Sequence, residues 1–100
     1  MKTGISIPRR KIERFCMENK IKCLALFGSV LREDFSPSSD VDILVEFQAD
    51  ARVGLSFFRM EQELTTLFGR KVDLNTPGFI SKDFLPQVLA EMEILYDASR

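Results

Sequence analysis

Two short apolar runs, IKCLALF (residues 21–27) and DVDILVEF (residues 40–47), constrain the fold of this 100-residue chain more than any other feature. The first is apolar enough to be a strand buried on both faces. It stops at Gly28-Ser29, which ends the strand and opens a short helical turn through Arg32. The second run starts on Asp40-Val41-Asp42. With side chains alternating along a strand, Val41, Ile43, Val45 and Phe47 share one face and Asp40, Asp42, Leu44 and Glu46 the other. Two aspartates therefore point the same way at the mouth of a central strand. Like charges so placed repel, and need something positive between them.

The rest of the chain supplies elements to pack on these strands. Ser6 to Asn19 reads as a helix, with Pro8 suited to its first turn and Ile12, Phe15 and Cys16 at helical spacing on one face. REDFSPSSD (residues 32–40) is a polar loop. Val53 to Phe68 reads as an amphipathic helix with Leu55, Phe58, Leu64, Leu67 and Phe68 as its apolar face, ended by Gly69. KVDLN (residues 71–75) is a short third strand with Val72 and Leu74 facing the core, which puts Asp73 on the opposite face. TPG is a turn, Pro86 opens a last helix through Leu89 and Met92, and EILYD (residues 93–97) is a fourth strand. The order α-β-(short α)-β-α-β-α-β predicts one α/β (α+β) domain over residues 1–100, with helices packed on a small mixed sheet.

Composition excludes several classes of function. The net charge is −1, and the one dense basic cluster, Arg9-Arg10-Lys11, is expected on the solvent face of a helix, so the charge argues against a nucleic-acid binder. No run is long and apolar enough to span a membrane, and MKTGISIPRRK lacks a signal-peptide core, so the cytoplasm is the expected compartment. Cys16 and Cys23 then read as reduced thiols. There is no histidine, which removes a Ser-His-Asp triad, a Cys-His pair and His-based zinc sites. Catalysis here has to run on carboxylates, Lys or Arg, hydroxyls, thiols or a hard metal.

If the second and third strands are neighbours, Asp40, Asp42 and Asp73 fall on one patch. A hard divalent cation would relieve their repulsion, and Mg²⁺ commonly binds through carboxylates plus substrate phosphates. Gly28 lets a phosphate approach the backbone, where free N–H groups and the Ser29 hydroxyl can bond it. Metal on one side and a phosphate cradle on the other make a site for a nucleoside triphosphate. Each part alone has a plainer reading: an Asp-x-Asp is usually a solvated pair, a Gly-Ser after a strand usually a turn.

Gly28-Ser29, ten intervening residues and Asp40-Val41-Asp42 resemble the G-S-x10-D-x-D motif of the DNA polymerase β-type nucleotidyltransferase superfamily. Length and the KVDLN strand are similar to its minimal nucleotidyltransferases, the small antitoxin partners of HEPN-domain toxins. The resemblance covers almost the whole chain. It implies that Asp40 and Asp42 ligate two Mg²⁺ ions, that Asp73 completes one metal site and helps deprotonate the attacking hydroxyl, and that Gly28-Ser29 holds the triphosphate. Arg32 matches a basic residue that meets a phosphate. One departure follows it: many relatives have glycine next, whereas Glu33 and Asp34 stand here, adding negative charge near a triphosphate.

The activity so implied is transfer of AMP from ATP to a hydroxyl; the sequence alone does not establish the base. Relatives that modify tRNA or antibiotics carry a further domain for the acceptor, so a partner is expected to present it: a HEPN ribonuclease toxin modified on a tyrosine. Phe57, Phe58, Phe79 and Phe84 are candidates for that interface as well as for the core. Two alternatives stay open, an antitoxin that neutralises by binding alone and an enzyme acting on a small molecule or RNA. A homo- or hetero-oligomer is compatible with either. A phospho-accepting receiver domain is set aside, because its acidic pair would follow the first strand, where Gly28-Ser29 stands.

Overall fold

The computed structural model describes residues 7–31 and 39–99. β1 (Ile21–Phe27) and β2 (Val41–Phe47) are its two central strands, flanked by β3 (Val72–Asn75) on the β2 side and β4 (Glu93–Asp97) on the β1 side. β1 pairs antiparallel with both β2 and β4, whereas β2 and β3 run parallel, joined through the helix α2 (Ser56–Phe68). The sheet is therefore mixed, as the element order predicts. Central position explains the unbroken apolar run of β1: Leu24, Ala25 and Leu26 are all fully buried.

One face of the sheet carries the main core. Ile12, Phe15 and Cys16 of α1 (Arg9–Glu18) and Met60, Leu64 and Phe68 of α2 close over Leu24, Leu26, Ile43 and Val45. The basic run Arg9-Arg10-Lys11 lies exposed on α1. Among the described residues, no helix is long and apolar enough to cross a membrane.

Several boundaries differ from the sequence reading for local reasons. Pro8 caps α1 instead of sitting in its first turn, with its carbonyl accepting from Ile12 N–H; Ser6 lies outside the described residues. α2 starts at Ser56, because Gly54 takes a left-handed φ of +50° and both the amide and the hydroxyl of Ser56 bond Val53 O. Its C-terminus behaves as expected, with Gly69 at φ +72° donating to Thr65 O. α3 (Leu85–Glu91) begins one residue before Pro86 and stops short of Met92, and a 3-10 turn (Pro77–Phe79) occupies the TPG segment.

The larger correction concerns which side of α2 is buried. Met60, Leu64 and Phe68 form the buried stripe, with Phe57 and Leu67 packed beside it. Leu55 precedes the helix and is 85% exposed, and Phe58 is 61% exposed. An aromatic or leucine adjacent in sequence to a core position points about 100° away from it on a helix. Phe57 instead bridges outward, edge-on to both Phe58 and Phe79. Replacing Leu64, which is fully buried, with Ala is expected to lower stability by roughly 2–5 kcal/mol. Phe58→Ala is expected to cost about 1 kcal/mol or less. Urea denaturation of the two variants side by side checks this assignment.

Neither Cys16 nor Cys23 is in a disulfide, and Cys16 is fully buried. Burial pushes the Cys16 thiol up from 9.0 to about 12, with Cys23 and Glu13 nearby adding to the effect. In the unfolded chain the same thiol ionises near its ordinary value, so above that value the unfolded state binds fewer protons than the folded one. Stability contributed by the protonated thiol is therefore present below pH 9 and lost as pH rises from about 9 toward about 12. Urea midpoints measured across this window should fall less steeply in Cys16→Ala than in the parent protein.

Candidate functional site

The β-ladder registers bring the motif residues to one end of the sheet. Phe27, the last residue of β1, pairs with Asp42 of β2, and Asp42 pairs with Asp73 of β3. Partners in register lie on the same side of a sheet, about 4.8 Å apart from strand to strand. Asp42 and Asp73 are therefore neighbouring carboxylates on the face away from α1 and α2. Asp40 stands just before β2, two residues from Asp42, and Val41 N–H donates to Lys71 O to fix that entry.

Gly28 completes the row. Its φ is +75°, and a Cβ built on it would lie 2.5 Å from Asp42 Oδ2 and 3.3 Å from Cγ. The bare Cα is thus required twice, by the left-handed backbone and by the Asp42 carboxylate lying against it. The segment that follows is a single 3-10 turn (Gly28–Leu31), too short for much of a helix dipole. It presents backbone N–H groups and the hydroxyl of Ser29, which is half-buried. Arg32, Glu33 and Asp34 lie outside the described residues.

Electrostatics explain how the carboxylates coexist. Lys71 Nζ is 4.0 Å from Asp40 Oδ2, a loose ion pair with both side chains largely in water. Among the described residues, no three carboxylate or thiol side chains stand close enough together to form a metal-holding group. Asp42 and Asp73 share a row, while Asp40 keeps company with Lys71. In kind, the donors suit a hard divalent ion, being carboxylate oxygens beside a glycine cradle, and Asp40, Asp42 and Asp73 are the residues that would hold it.

Two positioning residues were not legible as such in the sequence. β3 is an edge strand, and its outward amides find partners on α2: Val72 N–H donates to Thr65 Oγ1 (3.1 Å) and Leu74 N–H to Glu61 Oε2 (2.8 Å). These bonds bracket Asp73 and hold the strand that carries it. The available signal was a polar pair at i, i+4 next to the apolar stripe of α2. Of the four phenylalanines weighed for an interface, Phe57 packs against the core, whereas Phe58, Phe79 and Phe84 are exposed.

A family model described as polymerase beta, nucleotidyltransferase matches residues 10–100. The chain belongs to that family of nucleotidyltransferases. Among its relatives is a Methanocaldococcus jannaschii protein, provisionally named a protein adenylyltransferase, 38% identical over 88 residues that cover 87% of this chain and 88% of that protein. A crystal structure of a toxin–antitoxin complex with AMP-PNP superimposes with a TM-score of 0.71 at 26% identity, covering 92% of this chain and 75% of the other. A second solved complex, a tri-AMPylated HEPN toxin with its minimal nucleotidyltransferase antitoxin from Shewanella oneidensis, gives a TM-score of 0.63 at 25% identity. It covers 91% of this chain and 71% of that one.

The Gly28–Asp42 contact can be separated from simple backbone strain. Gly69 has nearly the same φ, +72°, with nothing within 4 Å of a built Cβ. Gly28→Ala and Gly69→Ala should each cost about 1–2 kcal/mol of stability from the left-handed backbone. Only Gly28→Ala should also abolish nucleotide transfer, by displacing the Asp42 carboxylate. Thermal melts and transfer assays on the two variants make the comparison.

Proposed function

We propose that this nucleotidyltransferase is a Mg²⁺-dependent protein adenylyltransferase. It transfers AMP from ATP to a tyrosine hydroxyl of a HEPN ribonuclease toxin and thereby acts as its antitoxin. The observation that carries the reading is the in-register row of Asp42 and Asp73 with Gly28 against Asp42. The adenylyltransferase relative and the two toxin–antitoxin structures support the choice of nucleotide and of acceptor class.

Bound to Asp40, Asp42 and Asp73, Mg²⁺ would supply positive charge to the phosphates and to the attacking and leaving oxygens. The chain's own residues do the rest. The Gly28-Ser29 backbone and the Ser29 hydroxyl hold the β- and γ-phosphates. Asp73 accepts the proton of the acceptor hydroxyl, the role left to a carboxylate in a chain with no histidine. The acceptor oxygen bonds the α-phosphorus as the bond from that phosphorus to the bridging oxygen breaks, and pyrophosphate leaves. The edge position of β3 leaves Asp73 exposed and open to a protein acceptor.

Incubation with α-labelled ATP, Mg²⁺ and the protein encoded by the neighbouring reading frame, as the candidate toxin, is expected to label that protein. Asp42→Asn, isosteric and still folded by circular dichroism, should lower labelling about 100-fold or more. Undiminished labelling by that variant would sink the metal-carboxylate mechanism. A stable complex with no label under any condition would replace transfer with neutralisation by binding.

A further inference from the structure

Beside Gly28, at the end of β1, the structure has a cleft of about 310 Å³. Phe27 and Gly28 line it together with Ile80, Phe84 and Val88 of the α3 region. Gln87 and Glu91, one helical turn apart on α3, stand at its polar rim, with Gln87 Nε2 donating to Glu91 Oε1 at 3.4 Å. Its volume is at the lower end of the ~300–1,000 Å³ usual for small-molecule sites, a size for a base and part of its sugar.

We propose that this cleft receives the base of the nucleotide, with the Phe27 and Phe84 rings against its faces and the Gln87–Glu91 pair accepting its exocyclic amino group. The inference rests on the transferase reading above. Gly28 is the hinge of the argument, because one glycine borders both the Asp42 carboxylate and the cleft. A triphosphate held at Gly28-Ser29 therefore has the cleft within a nucleoside's reach. The acceptor side chain belongs elsewhere: Asp73, which takes its proton, lies on β3, two strands from β1.

The chemistry of the rim selects a base over a tyrosine ring. A phenol with its hydroxyl at the reacting centre would leave the two polar groups facing carbon. With one amide hydrogen of Gln87 turned to Glu91, the pair offers mainly acceptors, the Gln87 carbonyl and the Glu91 carboxylate. Acceptors there match the N6 amino group of adenine. The carboxylate sits at the uncharged end of the nucleotide, away from the phosphates it would otherwise repel.

The test compares ATP with purine riboside triphosphate, which lacks only the 6-amino group, in the toxin-labelling assay. The parent protein is expected to prefer ATP about tenfold in kcat/KM, the effect of one hydrogen bond to a charged acceptor. Glu91→Ala should erase that preference, bringing kcat/KM for ATP down to that for purine riboside triphosphate. Phe84→Ala, at a side chain 63% exposed and so safe for folding, should raise KM for both nucleotides about tenfold with kcat retained. Equal use of the two nucleotides by the parent protein, or an undisturbed preference in Glu91→Ala, would overturn the cleft assignment and leave the transferase reading standing. Transfer from neither nucleotide would remove both.

Discussion

The contact between the Gly28 backbone and the Asp42 carboxylate is the constraint on which the rest of the arrangement depends. It ties the end of β1 to the second residue of β2, so the antiparallel register of the two central strands cannot slip without driving a carboxylate into the main chain. A one-residue slip would also turn Val41, Ile43 and Val45 out of the core. The close approach of Gly28 to Asp42 and the packing of the sheet are met by the same pairing. From Asp42 the parallel register passes the constraint on to Asp73. The site is thus a consequence of strand register, with loops contributing little of what is described.

How much of this was legible follows from which signals are local. β1 and β4 were read with their observed boundaries, because each is a short apolar run between strong breaks. The shared face of Asp42 and Leu44 followed from alternation alone. The neighbouring of β2 and β3 was a condition that the sequence could pose but not decide, since strand order is a tertiary fact. The face of α2 was misjudged at Leu55 and Phe58 because hydrophobicity alone does not separate an aromatic on the core stripe from one beside it. Glu61 and Thr65 were invisible as supports of β3, their partners being backbone amides seven and thirteen residues away.

The site also has an electrical logic that separates its members. Asp40 is paired loosely with Lys71, in water, at a distance where screening leaves little net energy. Asp42 and Asp73 lie deeper in the ladder, on strands whose other face is a packed core.

A last consequence follows from the two side-chain bonds on the outer edge of β3. Unpaired amides on an edge strand are a template for another chain, and edge pairing is a common route to aggregation. Here the outward N–H groups of Val72 and Leu74 are already occupied by Thr65 and Glu61. The strand that carries Asp73 is therefore shielded from β-addition along that edge, while Asp73 itself stays exposed. The protein can keep an exposed carboxylate at the margin of its sheet without offering that margin as a seed for polymerisation.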